Sequence, residues 1–497
     1  MHNGGRWDTG GRHFFWQLGR FRMNDDPGRP AEERTAAPPT RSSPLLDGPI
    51  LPTLLGLAIP NLLALATQSL VVIAETWFIG RIGTEALAAM ALVFPAIALT
   101  QMMSAGAMGG GVSSAISRAL GAGNEARART LALHALAIGV AAGVLMSALF
   151  VACRRPLFEL LGGRGPVLDE AVVYAGAFFS GALAIWLANT LVSIVRGTGN
   201  MRLPSATVIA IAALQVALGG VLSLGLLGFP RLGLTGIALA AILAHAAGAA
   251  FLLWHLTSGA ARVRLRISGA RPDAAMFRDI LQVGAVACLS PLQSILAVVF
   301  LARLAADFGT TALAGFGIGV RLELLLVPIA FSLGVACVPM VGMAIGAGRI
   351  ERARRVAWTG ATLAGALIGS IGLLIAWRPA IWGRLFTDEP AVLAAVDTYL
   401  GIAGLGFPLF GFGLCLYFAS QGSGRILGPV LGGSVRLATV IGGGLWLSAT
   451  GGTFTDLAIL IAAAMIAYGL STALFVAMTR WGPPPASPTR ASTGSAP

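Results

Sequence analysis

GAGNEARAR, residues 121–129, returns as GAGRIERAR at 346–354. The two copies lie 225 residues apart, and other pairs keep the same register. GTGNMRLP at 197–204 returns as GSGRILGP at 422–429, and Tyr174 in VVYAG returns as Tyr399 in DTYLG. Upstream, RIGTEALAA at 81–89 matches DFGTTALAG at 307–315 at a separation of 226, so one indel accounts for the whole register. Self-similarity at one long, fixed period marks a duplicated fold.

What is duplicated follows from composition. Of the 497 residues, 56% are hydrophobic and 11% charged, and the mean hydropathy is +0.81. An ordinary soluble domain carries about 25% charged residues. Only apolar helices or closed barrels satisfy their backbone in lipid. The apolar runs here are long and lack the two-residue alternation of barrel strands, so they read as helices. Twelve spans are expected, at 52–79, 86–117, 130–152, 171–195, 204–227, 234–257, 281–306, 312–343, 356–377, 391–418, 429–449 and 455–479. Each half holds six, an even number. Both halves therefore enter the membrane in the same direction, a parallel repeat of the kind that secondary transporters use. The domain reading is a disordered tail at 1–49, a first lobe at 50–257, a basic linker at 258–280, a second lobe at 281–480 and a disordered tail at 481–497.

The net charge of +13 does not point to nucleic acid. Every basic residue is an arginine, and the arginines gather in loops: RALGAGNEARART, RGTGNMR, ARVRLRISGARPDAAMFRD and GAGRIERARR. If basic loops face the cytoplasm, both termini do too. The loop CRRPLFELLGGRG is the exception on the other side. No signal-peptide core precedes the first span, and Met23 offers an alternative start. The cysteines, Cys153, Cys288, Cys337 and Cys415, share no metal-type spacing and read as single buried thiols. The GAG and GTG glycines read as helix ends and tight turns. A phosphate cradle needs a preceding strand and a lysine that this chain lacks. The run GAMGGG at 106–111 reads as a close helix approach or a bending point.

One acid stands out. Glu75 lies in VVIAETWFIG, residues 71–80, near the end of the first apolar run. An ionised carboxylate in lipid is costly, and one that persists there is a functional candidate. Gln68 sits two turns earlier on nearly the same face. Asn189 and Gln215 are buried amides able to reach Glu75 or a substrate. Glu323, in GVRLELLLVP, is a second and weaker candidate. No HExxH or GxSxG occurs, and His134, His245 and His255 share no spacing, which argues against a membrane-embedded enzyme. Flipping a lipid-linked precursor is the alternative transport reading. It calls for a cleft lined by arginines, whereas the arginines here read as loop residues.

The chain resembles the MATE family of multidrug and toxic-compound efflux transporters. The resemblance rests on IPNLLALATQSLVVIAETWFIGRIGTEALAA at 59–89, GAGN at 121–124, RGTGNMRLP at 196–204 and GFPRLGLTGIALA at 228–240, with echoes at 308–315, 346–354 and 421–429. It covers about residues 50–480. It implies two six-helix lobes in a V shape that exchange an inward-moving proton or sodium ion for an outward-moving organic compound, often a cation. It also implies a monomer in a bacterial inner membrane, with no cofactor beyond the coupling ion. Relatives place an aspartate where this chain has Glu75. In the fifth helix they carry an asparagine and, four residues on, an aspartate, where this chain has Gln215 and Gly219. No acid occurs in 285–301 or 400–418, where some relatives have one. A lone carboxylate suits a proton, because a bound cation wants several oxygens.

Overall fold

The computed structural model describes residues 43–259, 261–265 and 272–482. The tail readings for 1–42 and 483–497, and residues 260 and 266–271 of the linker, lie outside the described residues. Among the described residues all regular structure is helical. The first lobe comprises α1 (Ile50–Ile82), α2 (Thr84–Gly121), α3 (Glu125–Leu160), α4 (Gly165–Ser180 and Ala182–Gly197, bent by 46°), α5 (Arg202–Leu224) and α6 (Gly233–Ser258). The second comprises α7 (Ala274–Asp307), α8 (Thr310–Gly346), α9 (Ile350–Trp377), α10 (Pro390–Ser423), α11 (Leu427–Thr450) and α12 (Phe454–Met478). Eleven are long and apolar enough to cross a membrane singly, and the bent pair α4 makes the twelfth. Twelve spans in two sixes is the architecture the repeat predicts.

The repeated glycines have two separate jobs. Gly123 and Gly348 both take φ +73°, and Gly199 and Gly424 take +87° and +77°. Each closes a helix in the left-handed region, where a side chain is strained. The glycines just before them let the lobes touch. A Cβ at Gly121 would overlap the carbonyl oxygen of Met343 on α8, and one at Gly346 would overlap the carbonyl oxygen of Arg118 on α2. These two are repeat partners, and each meets the helix that carries the other. Higher up, a Cβ at Gly342 would overlap the Ser117 hydroxyl, and one at Gly111 would lie 2.7 Å from the backbone nitrogen of Gly284 on α7. The GAMGGG run thus serves the close approach. It also adjoins a bend, since Met102–Met108 forms a π-helical turn within α2.

Ion pairs reinforce this seam. Arg118 Nη2 lies 2.6 Å from Asp279 Oδ1, and Arg127 Nη2 lies 2.8 Å from Asp279 Oδ2. Asp279 falls within the stretch read from sequence as linker, but α7 begins at Ala274 with Asp273 as its N-cap, accepting from the Ala275 N–H. The helix thus starts before the long apolar run because Asp273 caps it there, and Arg278, Asp279 and Gln282 in its early turns lower the hydropathy.

Part of the stretch read as a disordered tail is ordered. Pro44–Asp47 forms a single helical turn with Leu45 and Leu46 buried. Leu45 fills the space over Gly199 in the first lobe. From the second lobe, Arg349 Nη1 donates to Leu46 O at 2.9 Å and Asp47 Oδ1 at 2.6 Å, and Arg352 Nη2 donates to Gly48 O at 2.6 Å. The segment is held because two arginines satisfy its free carbonyls. Among the cysteines, Cys337 and Cys415 are buried, Cys288 is half-buried and Cys153 is exposed, which corrects the expectation of four buried thiols. A small apolar thiol on an outer helix face sits as well against lipid as in a core.

Two outcomes test this picture. Gly346→Ala must push α2 and α8 apart, so unfolding in detergent should show about 1–3 kcal/mol of destabilisation. Gly317→Ala, with open space at its Cβ, should be neutral, and equal effects would contradict the seam. The Asp47 carboxyl is held below its ordinary value of 3.8 by the hydrogen bond from Arg349 and by the Ser43 N–H. Its contribution is therefore present above that value and lost as pH falls through the lowered one. Arg349→Ala should lower hydrogen-exchange protection at Leu46–Gly48 at neutral pH, and acid should lower it in the wild type once the slower intrinsic exchange at low pH is divided out; unchanged protection would refute the clamp.

Candidate functional site

Glu75 is only 7% exposed. It is reached from α5: Gln215 Nε2 donates to Glu75 Oε1 at 2.8 Å. The local packing explains why these two meet. One turn beyond Glu75, the Phe78 ring lies against Gly219 and Gly220 of α5, 3.7 Å and 3.1 Å from where their Cβ atoms would be. Gly219, which stands where relatives were expected to carry an acid, thus gives α1 a flat surface to pack on. The register of that contact sets Glu75 opposite Gln215.

A cavity of about 380 Å³ opens beside the pair, a volume typical of small-molecule sites. Its polar lining includes Gln68, Glu75, Gln101, Tyr174, Gln215 and His245, and Glu75 is its one carboxylate. Phe94 and Met102 of α2 supply apolar wall, and Pro328 of α8 brings in the second lobe. The cavity therefore borders both halves of the repeat.

The structure gathers three of the five residues singled out from sequence: Glu75, Gln68 and Gln215 line this one space. Asn189 stands behind it. Its Nδ2 donates to Gln101 Oε1 at 3.1 Å and to Ser104 Oγ at 2.8 Å, holding α2 at the π-helical turn. Glu323 lies elsewhere, in the second lobe, where its Oε1 accepts from the Tyr399 hydroxyl at 2.7 Å. Tyr174 and Tyr399 are repeat partners, so each lobe sets the same tyrosine near an intramembrane acid, although the acids themselves are not at equivalent positions.

Sequence reasoning passed over His245. It is 5% exposed, and its Nδ1 lies 2.8 Å from the carbonyl oxygen of Ala241. A carbonyl only accepts, so Nδ1 carries the proton and Nε2 is left to face the cavity. The available signal was a histidine inside an apolar run, and its lack of a partner at motif spacing hid it. By contrast, His134 is structural: its Nε2 accepts from the Asp273 N–H at 2.9 Å. Arg196 was likewise read as a loop residue. It is 6% exposed on α4 and donates to Asn61 Oδ1 at 2.9 Å, so the IPN and RGTGN motifs hold each other.

The MatE sequence family matches residues 60–221 and 284–441, one stretch in each lobe. The chain belongs to the MatE family. Among its relatives is a protein of Shewanella oneidensis named FAD transporter, 28% identical over 391 residues, covering 76% of this chain and 82% of that protein. Another is the probable multidrug resistance protein NorM of Thermotoga maritima, 27% identical over 365 residues, covering 72% and 77%. The solved structure of a MOP superfamily transporter from Pyrococcus furiosus superposes with a TM-score of 0.80 at 23% identity, covering 88% of this chain and 97% of that one. As a MatE protein, the chain is a multi-pass membrane transporter rather than an enzyme.

The Glu75–Gln215 contact predicts energetic coupling. Gln215→Leu leaves a buried carboxylate without its donor and should cost about 1–3 kcal/mol in detergent unfolding. In a Glu75→Leu background the same change should cost less, with a coupling of at least ~0.5 kcal/mol. Additive costs would contradict the pairing.

Proposed function

We propose that this MatE transporter exports small organic compounds, cationic or amphiphilic, in exchange for protons carried by Glu75. The supporting observation is a cavity bordering both lobes that holds one carboxylate beside an amide able to serve both of its charge states. Ionised Glu75 accepts from Gln215 Nε2. Protonated Glu75 becomes a donor, and Gln215 Oε1, buried and without a partner among the described residues, is free to accept after an amide flip. One side-chain rotation thus satisfies the pair with or without the proton. His245 adds an imidazole to the Glu75 carboxyl in the same space.

Sodium is the less suited ion. The lining offers a cation neutral oxygens from Gln68, Ser69, Gln101, Tyr174 and Gln215 but a single carboxylate, so the preference for a proton rests on the Gln215 amide, which serves the carboxyl in both charge states. The relatives named for multidrug resistance support an organic cargo, and the one named for FAD widens its chemistry. In this reading the chain works as a monomer in a bacterial inner membrane with both termini in the cytoplasm. The α2–α8 seam closes the cytoplasmic side, and protonation of Glu75 resets the lobes for the next cycle.

Reconstituted vesicles with an imposed pH gradient test this. In sodium-free buffer the wild type should transport rhodamine 123, Glu75→Asp should keep transport, and Glu75→Gln should reduce it to background while still inserting normally. Transport by Glu75→Gln at the wild-type rate, or a strict need for sodium, would overturn the proposal.

A further inference from the structure

The second lobe contains a charge that the mechanism above does not use. Arg436 lies nine residues into α11 (Leu427–Thr450). At 1.5 Å per residue that is about 14 Å from the helix start, near the middle of a ~30 Å hydrocarbon core. An arginine at that depth is expensive and needs a partner. Among the described residues no carboxylate comes within 4.0 Å of it. Its Nε is buried without a hydrogen-bond partner, and its guanidinium stacks 5.1 Å from the Phe410 ring centroid. Glu323 is near enough to share an electrostatic interaction with it, but it leaves the guanidinium unbonded: one of that carboxylate's oxygens is taken by the Tyr399 hydroxyl, and no ion pair within 4.0 Å forms between the two.

Arg436 borders a cavity of about 90 Å³, with Gln293, Ser290 and Ser294 as further polar lining and Phe410 and Tyr468 as aromatic wall. Met102 of α2 forms part of the wall of this cavity and of the Glu75 cavity as well. The two spaces therefore flank one side chain, with an acid on the first-lobe side and a cation on the second.

We infer that the second-lobe cavity holds, against Arg436, the anionic group (a carboxylate or phosphate) of those exported compounds that carry one. The volume admits such a group but no ring system, so the organic body extends past Met102 toward the larger cavity. A guanidinium fork with adjacent hydroxyls is the usual protein receptor for an oxyanion. The depth of Arg436 favours a soluble organic anion over a lipid headgroup, which sits at the interface. This inference rests on the transporter reading but does not depend on which ion drives it.

The test uses full-length protein in phosphatidylcholine nanodiscs and two dyes on one three-ring scaffold, anionic fluorescein and cationic rhodamine 123, with fluorescence polarisation as the readout. The wild type should bind fluorescein. Arg436→Gln should weaken that binding about tenfold or more, as for loss of a charge-assisted contact, and Arg436→Lys should retain part of it. Rhodamine 123 binding should be unchanged in both variants, which shows that the cavity still folds. Glu75→Gln should still bind fluorescein, so a failed proton mechanism would not imitate a failed anion site. No fluorescein binding by the wild type, no loss in Arg436→Gln, or equal losses for both dyes would overturn the inference. So would displacement of fluorescein by phosphatidylglycerol in the discs, since that assigns Arg436 to a lipid phosphate.

Discussion

The two lobes come together because residues 121 and 346 have no side chains. In lipid there is little hydrophobic drive for helices to associate, so contact depends on how closely the backbones can approach. Gly121 and Gly346 put the backbone of each helix against the other, and Gly342 and Gly111 continue the contact into the membrane. Duplication makes the arrangement self-consistent: one motif, used twice, supplies both faces. Asp279 then ties α7 to α2 and α3, and Pro44–Asp47 ties the chain's leading segment to both lobes. The Arg349–Asp47 clamp is exposed, where an ion pair contributes little, whereas the Arg118–Asp279 pair is largely shielded from solvent. The glycine contacts hold the two lobes at backbone-to-backbone distance.

Much of the fold was legible in the sequence, for a physical reason. A span must be long and apolar, and a glycine that closes a helix in the left-handed region has few substitutes, so hydropathy and the 225-residue repeat place all twelve spans. The site was legible only in part. Glu75 stood out because charge in an apolar run is conspicuous, and Gln215 emerged through the GFPRLG register. His245 was set aside as a scattered histidine, Arg196 was read as a loop residue and Arg436 was not singled out, because their meaning lies in what faces them from other helices. Asn189 and Glu323 were singled out without their partners, Gln101 and Ser104 for one and Tyr399 for the other, since depth and polarity do not say which cavity a side chain borders. The linker boundary slipped because α7 is capped at Asp273 and its early turns carry Arg278, Asp279 and Gln282.

The polarity of the paired cavities gives the duplicated scaffold a direction. Equivalent helices carry equivalent tyrosines, yet the first lobe presents Glu75 and the second presents Arg436 on opposite sides of Met102. A cargo with separated charges would be oriented by such a space. The proton and a cationic portion of the cargo would compete for the same carboxylate, which is the simplest form of coupling: two ligands that cannot occupy one site together.

That competition can be counted directly. Purified protein in weakly buffered nanodiscs is mixed with saturating rhodamine 123 while a pH dye reports released protons. The account predicts about one proton per bound molecule from the wild type, by linkage, and none from Glu75→Gln. Equal release from both proteins, or binding to the wild type with no release at any pH between 5 and 8, would contradict it.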